Sequence, residues 1–277
     1  MESCTIYRKA QKISSYSSSY YIIHTCSPTM FLRALPSLTR TPALTLYQYA
    51  ICPYCCKVKS VLDYYRIPYT TVEVNPLTKS ELLQSPDFRQ RKVPFAVFND
   101  RSTTTQGESS IIIQTLIDRK LVPDDGGFSV SKLPLLNRMS ILMFPNITRK
   151  FAASWQAFGY VDRVVSFSRF QKIYNHVLGA VAMVFANGRL KLKYGISDER
   201  KELVDNARSF MSELKSLSTG AVGEEPSLFE IQMFGTVRAI EGLDTHDWLL
   251  NEGCVEFGTW YRGIKAKVDA KTLGDAQ

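Results

Sequence analysis

The most constraining feature of this 277-residue chain is a Cys-x-x-Cys motif set between a strand and a helix. Cys-Pro-Tyr-Cys occupies residues 52–55, after the run 44–51, which predicts a strand, and before the run 57–65, which predicts a helix. This order places Cys52 at a helix N-terminus, where unpaired N–H groups and the helix dipole stabilise a thiolate. Such a setting lowers the pKa of a cysteine, so we predict that Cys52 is a reactive thiol and Cys55 its partner.

Two other interpretations of the motif are a metal half-site and a pair of structural cysteines. The sequence has no second Cys-x-x-Cys, and its three histidines (His24, His176 and His246) are scattered, so a zinc site is disfavoured. Six cysteines, three of them at residues 52, 55 and 56, do not form a disulfide framework and fit a reducing compartment. We interpret Cys56 as a packing residue because it lies one helical step beyond Cys55.

Three further segments follow in a fixed order. Residues 69–75 predict a second strand between two prolines, and residues 92–98 predict a third strand with Pro94 at its start. Glu108 and Ser109 then precede an apolar run that predicts a helix. An acid and a serine at a helix start are ordinary capping residues, and they are also suited to holding an amine and a carboxylate.

Together these motifs resemble the membrane-associated prostaglandin E synthase 2 family. The resemblance rests on the segments Tyr47-Gln48-Tyr49, Cys52-Pro53-Tyr54-Cys55, Lys57-Val58, Leu62-Asp63, Pro68-Tyr69, Val72-Glu73-Val74-Asn75-Pro76 and Lys92-Val93-Pro94. It implies an α/β thioredoxin-like domain followed by an all-α, glutathione-transferase-like domain. The animal members carry a longer insertion where this chain has only a short connection between residues 120 and 132.

The expected organisation has five parts. Residues 1–41 form a tail, residues 42–120 the thioredoxin-like domain and residues 121–130 a linker. Residues 131–268 form the helical domain and residues 269–277 a second tail. Length and apolar content allow two cores of this size.

The resemblance also implies the site residues. The catalytic residues would be Cys52, Cys55 and Tyr49, and glutathione would be bound by Val93, Pro94, Glu108, Ser109 and Tyr54. In thioredoxin-like folds the Val-Pro bond is cis and faces the reactive cysteine.

Three functions remain open from the sequence. The family resemblance implies a glutathione-dependent isomerase that converts prostaglandin H2 to prostaglandin E2, with a small lipid substrate. The alternatives are a glutaredoxin-like thiol–disulfide oxidoreductase or glutathione transferase, and a non-catalytic protein that binds glutathione or haem. A homodimer is a further hypothesis.

The N-terminal tail is basic and nearly free of acids. After Glu2 the next acidic residue is Asp63, and the tail is rich in Ser, Thr and Tyr. This composition is typical of a transit peptide, so we expect delivery to the mitochondrion or another organelle. A merely disordered tail, or a start at Met30, is the alternative, with the protein in the cytoplasm or at a membrane surface. Because part of the net charge of +8 belongs to this tail, we predict no nucleic-acid partner.

The C-terminal half predicts helices over residues 170–192 and 198–217, and a buried helix that begins with Ser227-x-x-Glu230, a capping box. The apolar stretch 177–186 is about half the roughly 20 residues that a membrane span needs. We therefore expect it to belong to a core helix, and any membrane association to be peripheral.

Overall fold

The computed structural model describes residues 41–83, 92–99, 105–125, 131–217 and 225–273. The predicted N-terminal tail, apart from residue 41, lies outside these ranges, as does half of the predicted linker.

The first part of the structure is a mixed α/β layer. Its elements are β1 (Leu44–Gln48), α1 (Pro53–Tyr64), β2 (Tyr69–Glu73), α2 (Ser80–Leu83), β3 (Phe95–Phe98), β4 (Thr105–Gly107) and α3 (Ser109–Asp118). The sheet order is β2-β1-β3-β4, with β1 parallel to β2 and antiparallel to β3, and β3 antiparallel to β4. The predicted thioredoxin-like domain is confirmed. The short edge strand β4 was not predicted, because three residues before a helix give too little alternation to reveal a strand.

The second part is helical. It comprises α4 (Leu133–Ile147), α5 (Phe151–Phe158), a 3-10 turn (Gly159–Arg163), α6 (Arg169–Tyr194), α7 (Glu199–Leu217), α8 (Leu228–Arg238), α9 (Asp244–Trp248), a π turn (Leu249–Gly253) and α10 (Val255–Leu273). The predicted all-α domain is confirmed. Its last helix continues five residues past the expected end at residue 268.

Helix α8 begins where the sequence predicts. The Ser227 hydroxyl accepts a hydrogen bond from the Glu230 N–H, and the Glu230 carboxylate accepts one from the Ser227 N–H at 3.0 Å, which completes the capping box. The Asp125 carboxylate accepts a further bond of 2.7 Å from the Leu228 N–H. Three of the N–H groups at this helix start are therefore satisfied, and the helix that follows is almost entirely buried.

The two parts of the structure pack together where α1 lies against α8. The contact is closest at Gly235, where an added Cβ would lie 2.7 Å from the Cys56 carbonyl oxygen and 2.8 Å from the Ser60 side chain. At its rim, Arg238 of α8 pairs with Asp63 of α1 at 3.3 Å. Glycine therefore fixes how closely the helix that carries the thiols approaches the helical domain.

The interpretation of residues 177–186 as a core helix is wrong. In α6 only Asn175, Gly179 and Ala180 are fully buried, whereas Phe185 is 76% exposed and Leu178 is 56% exposed. The sequence shows an apolar face, but here the small residues lie against the protein and the large apolar ones point outward. Among the described helices, none is long and apolar enough to cross a membrane.

We predict that Gly235→Ala lowers the free energy of unfolding by about 1–3 kcal/mol, because the new methyl group overpacks the α1–α8 contact. Thermal denaturation measures this as a lower Tm, at roughly 2–4 °C per kcal/mol for a protein of this size. The matched control is Gly188→Ala in α6, where an added Cβ would meet nothing within 4 Å. That variant gains up to about 1 kcal/mol of helix propensity. Equal melting curves for the two variants would contradict the role given to Gly235.

Candidate active site: a thiol at the start of α1

Cys52 is the residue that precedes the first turn of α1. Its backbone is extended (φ −79°, ψ 120°), and Pro53 follows it in the first turn, where a missing N–H costs no intrahelical bond. The Cys52 N–H bonds to the Tyr49 carbonyl at 3.0 Å, which closes the turn between β1 and α1. The predicted strand–turn–helix setting of the motif is confirmed.

The Cys52 sulfur is surrounded by groups that favour its thiolate. It accepts hydrogen bonds from the Cys55 thiol and from the N–H groups of Cys55 and Tyr54, and Lys57 adds a positive charge. The bond from the Cys55 thiol has the largest effect, and together these groups outweigh the opposing effect of burial and lower the pKa of Cys52. The thiolate is therefore the form that this turn stabilises.

The other two thiols near the motif are buried. Burial, and then the hydrogen bond to Cys52, raise the pKa of Cys55 well above its usual range. Cys55 therefore stays protonated and donates a hydrogen bond to the Cys52 sulfur. Burial also raises the pKa of Cys56 to about 12, and its thiol donates to the Ala50 carbonyl at 3.2 Å. Cys56 is a packing residue, as the sequence indicates.

Lys57 is a residue that the sequence analysis did not single out. It is 1% exposed, and burial lowers its pKa to about 8, while the Cys52 thiolate acts in the opposite direction. Its ammonium nitrogen lies 5.4 Å from the centre of the Tyr54 ring. The sequence spacing indicates that Lys57 is buried, because Lys57, Val61 and Tyr64 fall on one helical stripe, and the last two are core residues.

A half-buried carboxylate holds the turn before Cys52. Glu73, at the end of β2, accepts a hydrogen bond of 2.7 Å from the Ala50 N–H and one of 3.0 Å from the Gln48 side chain. Burial raises the pKa of Glu73 despite these bonds. Strand β2, the parallel neighbour of β1, thus fixes the turn from which α1 starts.

Cys52 lines a cavity of about 350 Å³ between the two parts of the structure. Tyr49, Ile51, Cys52, Pro53, Tyr54 and Pro76 line it from the α/β part, and Ser140, Ile141, Met143, Phe144, Ile147, Phe158, Tyr160, Met183, Leu190 and Tyr194 from the helical part. Its walls are overwhelmingly apolar. Burial raises the pKa of Tyr54 to about 12 and that of Tyr49 beyond its usual range, so both phenols are protonated near neutral pH.

A larger cleft, of about 860 Å³, shares Ile51 and Tyr160 with this cavity but contains Cys56 instead of Cys52. Because the Cys56 thiol is protonated and hydrogen-bonded to the backbone, the smaller cavity is the one that offers a reactive sulfur.

Val93 packs against the same small core as Tyr49, one of the predicted catalytic residues. The Val93–Pro94 peptide bond is cis, as the family resemblance implies. Val93 and Tyr49 pack against one small core of Val74, Leu82, Phe95 and Val97. Val93 lies two residues before β3, outside the ladders that β3 forms with β1 and β4.

Glu108 and Ser109 lie at the start of α3, directly after β4. Phe95 pairs with Gly107, so Pro94 and Glu108 are each one residue beyond this last pair of the ladder. Glu108 has a positive φ of 68°, a conformation that a non-glycine residue seldom adopts, and its side chain does not cap the helix. Ser109 is 5% exposed. Neither residue lines the cavity of Cys52.

Comparison with known proteins finds a matching domain family and named relatives. Residues 46–121 match the family described as glutathione S-transferase, N-terminal domain. Prostaglandin E synthase 2 of Danio rerio is 28% identical over 267 residues, covering 79% of this chain and 69% of the relative. Prostaglandin E synthase 2 of Mus musculus is 25% identical over 304 residues, covering 90% and 78%.

Solved structures with a similar fold include a glutathione S-transferase III in its apo form, with 18% identity, a TM-score of 0.47 and coverage of 84% of this chain and 96% of that one. Glutaredoxin 2 of Salmonella typhimurium, solved with glutathione, has 17% identity, a TM-score of 0.44 and coverage of 84% and 98%. The resemblance that the motifs indicate is confirmed by the named relatives and the matching domain: the chain is similar to prostaglandin E synthase 2 over most of its length, and its first part is similar to the N-terminal domain of glutathione S-transferases.

Proposed function

We propose that this protein is a glutathione-dependent thiol enzyme that isomerises prostaglandin H2 to prostaglandin E2. The observation that carries the proposal is the position of Cys52, a thiol of lowered pKa that lines an apolar cavity of about 350 Å³. An apolar cavity with a few convergent polar groups suits a lipid substrate. Both named relatives are prostaglandin E synthases, which supports the same reaction.

The chemistry begins with the Cys52 thiolate. Its sulfur attacks one oxygen of the endoperoxide, the O–O bond breaks, and the second oxygen takes up a proton to become a hydroxyl. Loss of the proton from the carbon that bears the sulfur-linked oxygen then forms the ketone and breaks the S–O bond. The thiolate is released unchanged, and substrate and product have the same composition.

Three neighbouring side chains serve this step. Tyr49 and Tyr54 line the same cavity with protonated phenols, so each can donate a hydrogen bond or a proton to the oxygen that leaves the O–O bond. The buried Lys57 balances the negative charge of the thiolate at a place where water screens it poorly.

The residues at the sheet edge fit glutathione. Because Glu108 does not cap α3, the first N–H groups of that helix are left to an anion, and Ser109 adds a hydroxyl beside them. Val93, outside the ladders of β3, offers backbone groups to a peptide-like ligand. Glutathione bound there supplies a second thiol near Cys52.

A second candidate function is thiol–disulfide exchange with glutathione. The hydrogen bond between the thiols of Cys52 and Cys55 favours it, because the same closeness lets Cys55 resolve a mixed disulfide at Cys52. Haem bound through the Cys52 thiolate is a further proposal, and among the described residues no histidine lines that cavity to act as another ligand. Delivery to the mitochondrion or another organelle, a homodimer and the absence of a nucleic-acid partner also stay proposals.

We predict that the purified protein converts prostaglandin H2 to prostaglandin E2, that Cys52→Ser abolishes this activity, and that Cys55→Ser keeps part of it. The same three proteins are assayed with hydroxyethyl disulfide and glutathione. If the wild-type protein is active only with the disulfide, and both variants lose that activity, the isomerase proposal is contradicted and thiol–disulfide exchange takes its place.

We predict that Cys55→Ala raises the pKa of Cys52, because it removes the hydrogen bond with the largest effect on that thiol. The rate of iodoacetamide alkylation, followed from acid to alkaline pH, rises as Cys52 loses its proton, so the midpoint of the profile moves to higher pH. Lys57→Met, which keeps the buried volume and removes the charge, shifts it in the same direction but less. Cys254→Ala is the control and leaves the midpoint in place. A wild-type midpoint like that of a free thiol would contradict the account of Cys52.

We predict that Ser109→Ala weakens glutathione binding roughly fivefold or more, as expected for one lost hydrogen bond to a charged group. Calorimetric titration measures the affinity, and a melting curve shows that folding is kept. Thr115→Ala removes a hydroxyl that bonds within α3 at 2.8 Å and serves as the control. If Ser109→Ala changes stability and leaves the affinity alone, Ser109 has only a structural role.

A further inference from the structure

The outer face of α6 is apolar along its whole length. Seven of its large aliphatic and phenylalanine side chains are exposed, and the most exposed, Phe170, Phe185 and Leu192, are 82%, 76% and 86% accessible; the seven are Phe170, Ile173, Val177, Leu178, Val181, Phe185 and Leu192. The helix has 26 residues and is therefore about 39 Å long. An apolar surface of this extent on a folded protein marks a place where something else binds.

Helix α5 extends this surface. It is held against α6 by a hydrogen bond of 2.8 Å from the Ser154 hydroxyl to the Ala180 carbonyl. Its side chains Phe151 and Trp155 are half exposed, with ring centres 5.9 Å apart. Phe and Trp are among the side chains that interfacial helices insert at the boundary between lipid headgroups and acyl chains.

The charge on α6 identifies the kind of partner. The helix contains five Lys or Arg residues and no Asp or Glu. Within the part of the chain that the structure describes, Arg169, Arg189 and Lys193 form no salt bridge, and all three are exposed. An exposed apolar face bordered by cations that form no salt bridge complements a surface with an anionic outer layer over an apolar interior.

We propose that α6, with the adjacent rings of α5, lies in the surface of a membrane that contains anionic lipid. A second copy of the chain fits this face less well, because two acid-free helices packed side by side would bring their cations together. The same objection applies to residues 1–40, whose single acid is Glu2 against five Lys or Arg residues. A lipid surface satisfies both the apolar face and its basic border.

The inner face of the same helix lines the cavity of Cys52 through Met183, Leu190 and Tyr194. If the proposed function holds, a membrane-bound α6 brings the thiol cavity to the surface at which a lipid substrate is dissolved. The membrane proposal itself stands without that function, because it concerns the outer face only.

Flotation of the full-length protein with vesicles tests the proposal. We expect the protein to float with vesicles of phosphatidylcholine and phosphatidylserine, less with phosphatidylcholine alone, and less at high salt. Phe170→Gln with Phe185→Gln lowers the partition coefficient at least about tenfold, since two exposed rings no longer leave water. Arg169→Gln, Arg189→Gln and Lys193→Gln together lower it roughly fivefold for each charge removed.

The matched control is Leu217→Gln with Val255→Gln, which removes two exposed apolar side chains outside α5 and α6 and leaves flotation unchanged. Melting curves confirm that every variant is folded, and sedimentation velocity gives the oligomeric state. Flotation that survives the double phenylalanine variant would assign lipid binding to the N-terminal tail and overturn the proposal. A wild-type dimer that the same variant converts to a monomer would also overturn it, because a second copy would then cover the face.

Discussion

The contact between α1 and α8 is the interaction on which the site depends. Gly235 lets the backbone of α8 approach Cys56 and Ser60 more closely than any side chain allows. Since Cys52 immediately precedes α1, the depth of this contact sets where the thiol lies relative to α4 and α6, which supply most of the far wall of its cavity. The capping of α8 by Ser227, Glu230 and Asp125 fixes the other partner of the contact.

The parts of the site that depend on local sequence could be predicted. The cis peptide bond before Pro94 is what the family resemblance implies. The thiol at a helix start and the capping box at Ser227 each follow from a few adjacent residues. Their geometry is dictated by backbone groups within one turn, so distant parts of the chain change it little. The α/β order of the first part followed from the same kind of signal.

What the sequence left open depends on which side of an element meets the rest of the protein. The spacing in α6 shows one apolar face, but it does not say that the small residues at Gly179 and Ala180 are the ones that pack inward. Lys57 is a similar case, because its spacing from Val61 and Tyr64 indicates a place on the buried stripe of α1, but only the packing shows that its charge acts on the Cys52 thiol. The left-handed backbone of Glu108 likewise comes from the junction of β4 and α3 and has no signature in the residue itself.

Burial opposes the ionisation of both thiols of the motif, but hydrogen bonds to the Cys52 sulfur give the two thiols opposite pKa shifts, and this division explains what the site can do. Exclusion of water raises the pKa of Cys55, which keeps its proton, and that proton then stabilises the Cys52 thiolate through a hydrogen bond. A site open to water would weaken the bond and the effect of Lys57 together. The apolar walls that α4 and α6 add to this cavity are the part of the site on which the proposed selection of a lipid substrate rests. In a shallow site, where water replaced those walls, the motif would still present a thiol at a helix start, but the basis of the proposed lipid selection would be lost.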